Sequence, residues 1–261
     1  MNLLINKKIL VTKTKKESEL SLLRLVNEGA EIIYFPTIKI IPSIGTDEVK
    51  EIFSKAYDFD YLVFTSANAA EIFAQAEKLY KPDFSKTKIA VVGKSTAEKC
   101  GKLGIYVHLI PDEYSAKGLL KKFSELNIAG KKILIPCSSL SRDELSAGLS
   151  GQGALVSTLK IYNVVQNDIH DLQTEYETIT TNKPDIFVFT SPSSFSNFLA
   201  LMNTKNALTY FEKSLICAIG TTTESAIREA GLVVHVVPDT FSLHGVGEAI
   251  IKYFQVTANI A

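Results

Sequence analysis

The sequence predicts an α/β protein of two similar parallel-sheet domains, flavodoxin-like, internally duplicated and joined by a two-stranded β linker. Three observations predict it. Motif blocks return in the same order about 125 residues later, short apolar runs alternate with helical periods, and two extended segments break that alternation at equivalent places.

The repeat is explicit. Asp60-Tyr61-Leu62-Val63-Phe64-Thr65-Ser66 returns as Asp185-Ile186-Phe187-Val188-Phe189-Thr190-Ser191, 125 residues on. Val91-Val92-Gly93-Lys94-Ser95-Thr96 returns as Ala218-Ile219-Gly220-Thr221-Thr222-Thr223, 127 residues on. His108-Leu109-Ile110-Pro111-Asp112 matches His235-Val236-Val237-Pro238-Asp239 at that same spacing. Lys8-Ile9-Leu10-Val11-Thr12 returns as Lys132-Ile133-Leu134-Ile135-Pro136, 124 residues on. Such a period is the size of a domain, far beyond that of a solenoid repeat. The shared motifs are expected to face the cleft between two matched units.

Taken in order, 9–12 is a strand and 17–27 a helix whose Leu20, Leu23 and Val26 share one face. Gly29 stops that helix, and 31–35 is the next strand. The run 61–65 is a buried strand, followed by a helix over 67–78 with Ala70, Phe73, Ala74 and Ala76 inward. Strand 89–92 leads into a helix over 95–103 that Gly104 ends. A strand at 106–110 precedes a helix over 116–125, capped by Ser115 or a neighbour. The cycle restarts with strand 133–135, helix 140–150 and strand 156–161. It continues through strand 187–190, helix 194–201, strand 216–219, helix 222–230, strand 233–237 and helix 243–254. Apolar strands this short, interleaved with helices, imply parallel sheets covered on both faces. Segment 166–183 is polar and reads as a short helix or a loop.

The alternating segments at about 34–42 and 158–165 lead into no helix and read as crossover strands. If both cross, the chain forms a discontinuous domain from 1–36 plus 166–261, with 40–162 as the inserted domain.

Bulk composition narrows the function. Lys+Arg and Asp+Glu are equal at 28, which argues against a nucleic-acid or membrane-surface partner, since those favour a basic excess. Hydrophobic residues make up 46% of the chain, enough for real cores. Cys100, Cys137 and Cys217 are scattered, so neither a disulfide framework nor a zinc site is expected. The N-terminus is too polar for a signal peptide, and no run reaches the roughly 20 apolar residues of a membrane span. A cytoplasmic, monomeric protein without metal is expected.

Ligands of parallel α/β sheets sit beyond the carboxyl ends of the strands. The residues there are Thr12-Lys13, Thr65-Ser66-Ala67-Asn68, Gly93-Lys94-Ser95-Thr96, Pro136-Cys137-Ser138-Ser139, Thr190-Ser191-Pro192-Ser193 and Gly220-Thr221-Thr222-Thr223. They are rich in hydroxyls and lack Asp, Glu and His, a composition suited to binding more than to acid–base work. Helix N-termini at these turns offer free N–H groups to carboxylates or phosphates. Helix capping is the plain alternative for any one Ser or Thr.

Other motifs fail. Gly93-Lys94-Ser95-Thr96 resembles the end of a phosphate loop, but Lys88 stands where that pattern needs glycine. No G-x-G-x-x-G follows a strand. His108 and His235 read as structural, and His170 and His244 have no visible partner. Cys137 reads as a residue at a helix start, where a thiol pKa can fall, yet no histidine accompanies it. Tyr162 lies on a crossover strand, either as hinge packing or as a proton donor to a leaving group. Arg142, in the first turn of its helix, and Lys13 are the cationic candidates, with an ordinary surface role the alternative for each.

The ordered motifs resemble the uroporphyrinogen-III synthase family over essentially the whole chain. They are F-T-S at 64–66, V-V-G-x-x-T at 91–96, Pro136-Cys137 with downstream Arg142, K-x-Y at 160–162, F-T-S-P-S at 189–193 and I-G-x-T-T at 219–223. The resemblance implies two α/β domains joined by a two-stranded ladder, and no cofactor. It implies cyclisation of hydroxymethylbilane, with loss of water and inversion of ring D, to uroporphyrinogen III. The family's tyrosine falls on Tyr162, and its substrate-contacting hydroxyls fall on Ser66, Thr96, Ser191, Ser193, Thr222 and Thr223. Asn68, Ser138, Arg142 and Lys13 complete the expected binding set. Bacterial relatives often carry arginine where Lys13 stands, so a bidentate carboxylate contact there is not implied. A two-domain protein that clamps an anionic small molecule without converting it would share these features.

Overall fold

The computed structural model describes residues 3–258, so positions 1–2 and 259–261 of the expected discontinuous domain lie outside the described residues. The chain divides into two compact units, one running up to residue 39 and again from 166, the other covering 40–165. The first unit opens with β1 (Lys8–Val11), α1 (Lys15–Asn27) and β2 (Glu31–Tyr34). Strand β3 (Ile38–Pro42) spans the first passage between units. The second unit holds α2 (Asp47–Ser54), β4 (Tyr61–Phe64), α3 (Ala67–Tyr80), β5 (Lys88–Val91), α4 (Lys94–Lys102) and α5 (Ala116–Ser124). It continues with β6 (Lys132–Ser138), α6 (Glu144–Gly151) and β7 (Leu155–Gln166), where the chain passes back. The first unit is completed by α7 (Gln173–Thr181), β8 (Ile186–Phe189), α8 (Pro192–Leu201), α9 (Ala207–Phe211), β9 (Leu215–Ala218), α10 (Thr221–Glu229) and α11 (Leu243–Ala258).

The first sheet has the order β2-β1-β8-β9 with parallel neighbours, and a bridge from Cys217 to Val236 marks a fifth position. The second has the order β3-β7-β6-β4-β5, parallel from β7 to β5, with a matching bridge from Ala90 to Leu109. Starting from β1 in one unit and β6 in the other, both follow the flavodoxin-like order 2-1-3-4-5. Both faces of the central strands are buried. In the first unit Ile9, Val11, Ile186 and Val188 pack into one core, and Leu10, Phe187 and Phe189 into another. Period-two alternation between two apolar layers is why these strands read as unbroken apolar runs.

A carboxylate clamps the opening of each central strand pair. Asp185 accepts the Lys8 N–H at 2.9 Å and the Lys7 ammonium at 3.0 Å. Asp60 accepts the Lys132 N–H at 2.9 Å and the Lys131 ammonium at 2.9 Å, and the Lys131 bond holds its carboxyl below the usual range.

Several expectations need correction. Helix α1 buries Ser18, Leu22 and Leu25, while Leu20 is 86% exposed and Leu23 and Val26 also face solvent. Two apolar stripes compete on this helix. Ser18 can be buried because its hydroxyl donates to the Thr14 carbonyl at 2.6 Å. Segments 106–110 and 233–237 are single bridges, not strands. Next to each bridge an imidazole takes a ladder position: Ile89 N–H donates to His108 Nδ1, and Ile216 N–H to His235 Nδ1, both at 3.0 Å. Partial desolvation pushes the His235 pKa below its ordinary value. Helix α6 begins at Glu144, so Cys137 lies inside β6 and Arg142 in the turn before the helix. The polar segment 166–183 contains α7, and α2 and α9 have no counterpart in the sequence reading.

Helices α5 and α11 begin alike. Ser115 accepts from Gly118 N–H and Ser242 from Gly245 N–H, each at 3.0 Å. A Cβ on Gly118 would lie 2.0 Å from the Glu113 carbonyl oxygen, and one on Gly245 would lie 2.1 Å from that of Thr240. Backbone, not a yielding side chain, blocks the space. Gly118→Ala or Gly245→Ala is therefore expected to cost about 1–3 kcal/mol in urea unfolding, the usual range for overpacking. A loss below 0.5 kcal/mol would show that these turns relax freely.

Candidate functional site

In each unit the strand ends carry the hydroxyl-rich turns. In the second unit, β4 runs into Thr65-Ser66 and then α3, whose N-cap is Ser66. The Ser66 hydroxyl oxygen accepts the Ala69 N–H at 3.1 Å and shares a hydrogen bond with the Tyr162 hydroxyl at 3.1 Å. Tyr162 is placed by an irregularity in the β6–β7 ladder. Cys137 is opposite Lys160 but Ser138 is opposite Tyr162, so Ile161 is the extra residue. A bulge breaks the in–out alternation, and here both Ile161 and Tyr162 are buried. Ser139 N–H donates to the Tyr162 carbonyl at 3.0 Å, fixing the backbone behind the phenol. The tyrosine is 6% exposed, its ring packed in the core and its hydroxyl on Ser66. Tyr162, within β7, thus stands opposite Ser138 at the end of β6 and reaches Ser66 just beyond β4. The pair β6/β4 is where the strand order of this sheet reverses, the usual ligand position in such folds.

The first unit has its reversal between β1 and β8. There the Thr12 hydroxyl donates to the Val188 carbonyl at 3.2 Å and lies 3.4 Å from the Thr190 hydroxyl. Ser191 caps α8 by accepting the Ser194 N–H at 3.0 Å, and its hydroxyl lies 3.1 Å from that of exposed Ser193. Lys13 forms an ion pair with Glu17 at 3.8 Å. Helix α1 is closed by a Thr14–Glu17 capping box, so its N-terminus is already satisfied.

Helices α4 and α10 differ. Their N-caps are Gly93 and Gly220, neither with a side-chain cap, so the N–H groups of 94–96 and 221–223 face no side-chain acceptor. Thr96 and Thr223 occupy the third position of each helix and are both 3% exposed, and their hydroxyls make no hydrogen bond among the described residues. Thr222 is exposed beside Thr223. Asn68 is half-buried in the first turn of α3, and Arg142 is exposed with no ion pair among the described residues.

The geometry brings Ser66, Ser138 and Tyr162 together, and separately Ser191 with Ser193 and Thr222 with Thr223. Ser66 and Ser191 cap their own helices, as the plain alternative held, yet a hydroxyl that accepts an N–H still has a proton to donate. Tyr114 and Phe241 are exposed aromatics before the N-caps of α5 and α11, and their spacing of 127 is the repeat signal that marks them in the sequence. Thiol chemistry finds little support: all three cysteines are buried, with desolvation pushing Cys100 up to about 11 and Cys217 higher still. Among the described residues no His, Cys, Asp and Glu cluster could hold a metal, and no helix is long and apolar enough to cross a membrane. A groove of 970 Å³, lined by Arg24, His235, His244, Glu248 and Lys252 among others, contains none of the expected site residues.

Comparison with known proteins adds a family. The family model described as Uroporphyrinogen-III synthase HemD matches residues 21–247. The uroporphyrinogen-III synthase of Chlorobaculum parvum is 28% identical over 239 residues, covering 90% of this chain and 94% of that protein. The synthase of Synechococcus elongatus is 32% identical over 162 residues, 61% of each chain. Among solved structures, the Helicobacter pylori synthetase has a TM-score of 0.62 at 16% identity, covering 94% of this chain and 99% of that one. A mutant Thermus thermophilus synthase has a TM-score of 0.60 at 16% identity, covering 96% and 99%. At such identity the structural likeness speaks for the fold.

Two classes of hydroxyl predict opposite stability effects. Ser66→Ala is expected to lower the unfolding free energy by about 1 kcal/mol through loss of a cap. Thr96→Val and Thr223→Val are expected to leave it unchanged or raise it, because no partner is lost. Valine variants as destabilised as Ser66→Ala, in the same denaturant titration, would make those threonines structural.

Proposed function

The chain belongs to the uroporphyrinogen-III synthase family, and from that premise we propose how its own residues cyclise hydroxymethylbilane to uroporphyrinogen III. The reaction removes the terminal hydroxyl as water and joins the chain ends with ring D inverted. Hydroxymethylbilane also closes unaided to the uninverted isomer, so the protein's task is to select a geometry. Holding ring D so that its substituted carbon is attacked contributes through orientation, without a strong acid or base.

The observation that carries this reading is the Tyr162–Ser66 pair, 3.1 Å apart where the β6/β4 strand order reverses. The phenol protonates the hydroxyl as its C–O bond breaks and water leaves, the proton lost from the tetrapyrrole on ring closure restores the phenol, and Ser66 holds the phenol in place. Carboxylates of the substrate are held by the uncapped amides of 94–96 and 221–223, with Thr96, Thr222 and Thr223 beside them. Ser138, Asn68 and Arg142 in the second unit, and Lys13, Ser191 and Ser193 in the first, supply further contacts. Each helix N-terminus is worth about 0.3–1 kcal/mol to an anion, up to ~2 when partly buried. Several together hold a polycarboxylate with few lysines or arginines.

Incubation with hydroxymethylbilane followed by isomer analysis tests this function directly. Uroporphyrinogen III is the expected product; the type I isomer alone would leave a binding protein. Tyr162→Phe is expected to slow turnover roughly ten- to a hundredfold, the lower range for a positioned proton donor, with the isomer ratio retained. Unchanged turnover would remove the phenol from the chemistry.

A further inference from the structure

Tyr114 and Phe241 directly precede Ser115 and Ser242, the N-cap residues of α5 and α11. A large side chain just before an N-cap usually staples onto the residue four positions into the helix. Those residues, Leu119 and Val246, are fully buried. Yet Tyr114 is 57% and Phe241 61% exposed, and neither packs into the cores that hold Leu119 and Val246. The staple is absent in both units.

The Phe241 ring and the Tyr114 Cβ each lie beside an uncapped helix end. A Cβ added to Gly220 would meet the Phe241 ring at 3.2 Å, and one added to Gly93 would meet the Tyr114 Cβ at 3.7 Å. Gly93 and Gly220 have extended φ values of −153° and −173°, which any residue adopts. Glycine at 220 therefore serves the close approach of an aromatic ring, not backbone strain. Phe241 is held there because its turn is rigid: Ser242 N–H donates to the Thr240 carbonyl at 2.7 Å, the carbonyl that also excludes a Cβ at Gly245. The Tyr114 turn repeats this, with Ser115 N–H donating to Glu113 at 2.8 Å. Next to each ring stand free amides and an unpartnered buried threonine, Thr96 or Thr223. An apolar wall beside an anion-binding helix end fits a flat ring that bears carboxylate arms.

We propose that Tyr114 and Phe241 are substrate-positioning residues, each providing a face against which one pyrrole ring of the linear tetrapyrrole lies while its carboxylate reaches the adjacent helix end. This rests on the cyclisation reading above. The stacked ring fixes orientation; the amides fix the charge; neither residue exchanges a proton.

The test is steady-state kinetics on Tyr114→Ala, Phe241→Ala, Tyr114→Phe and Phe241→Tyr, with melting temperatures measured in parallel. Each alanine variant is expected to raise KM roughly two- to tenfold, the scale of one aromatic contact, with kcat within twofold. The aromatic exchanges should restore KM. Gly220→Ala, which displaces the Phe241 ring without removing it, should raise KM as Phe241→Ala does. A lowered melting temperature with unchanged KM would return both rings to a structural role. If the wild-type protein forms uroporphyrinogen III while the alanine variants keep its KM, this inference falls alone. If the wild type forms no uroporphyrinogen III, the function itself falls.

Discussion

In a parallel sheet every strand delivers its carboxyl end to the same edge, and each helix that follows begins there with N–H groups that lack intrahelical partners. What the sequence places at those beginnings decides what the edge can do. Here Ser66 and Ser191 close α3 and α8 with their own hydroxyls, and Thr14 with Glu17 closes α1. Gly93 and Gly220 leave α4 and α10 open. In each unit, therefore, the carboxyl edge of the sheet carries both a helix end closed by a side chain and one left open.

The opposite edge does the structural work. Asp60 and Asp185, part of the most obvious repeated motif, bind the first amides of β6 and β1 and the neighbouring lysines. They lie at the amino ends of the strands, so the repeat combines a sheet clamp at one strand end with a hydroxyl-bearing turn at the other. The aromatic core of the first unit, with Phe187 in edge contact with Phe198 and Phe211, holds β8 beneath α8 and α9. Both features hold the strands in register, and register places Tyr162 opposite Ser138.

Much of this was legible in the chain. Short apolar runs such as Phe187–Phe189, bounded by turn residues, read as strands covered on both faces, and Ser115 is a cap that local chemistry favours. The face of α1 was not legible. Leu22 with Leu25 and Leu20 with Leu23 are equally good stripes, and only packing chooses. The edge segments at 108 and 235 misled because a histidine side chain, not the backbone, accepts the neighbouring amide. At the site, residue types at turns were legible, but the bulge that brings Tyr162 to Ser66 is a matter of register that no single-strand pattern encodes. Nothing in the chain shows that Tyr114 and Phe241 are exposed, since an aromatic before an N-cap ordinarily forms a staple.

The central claim is that main-chain amides at open helix ends hold a polycarboxylate. Amide chemical shifts recorded while uroporphyrinogen III is titrated into the protein test it most directly. The account predicts saturable shifts concentrated at 94–96, 138–142 and 221–223, with Asp60 and Lys132 unmoved. Shifts centred on the amino ends of the strands, or none at the two glycine-capped helices, would contradict it.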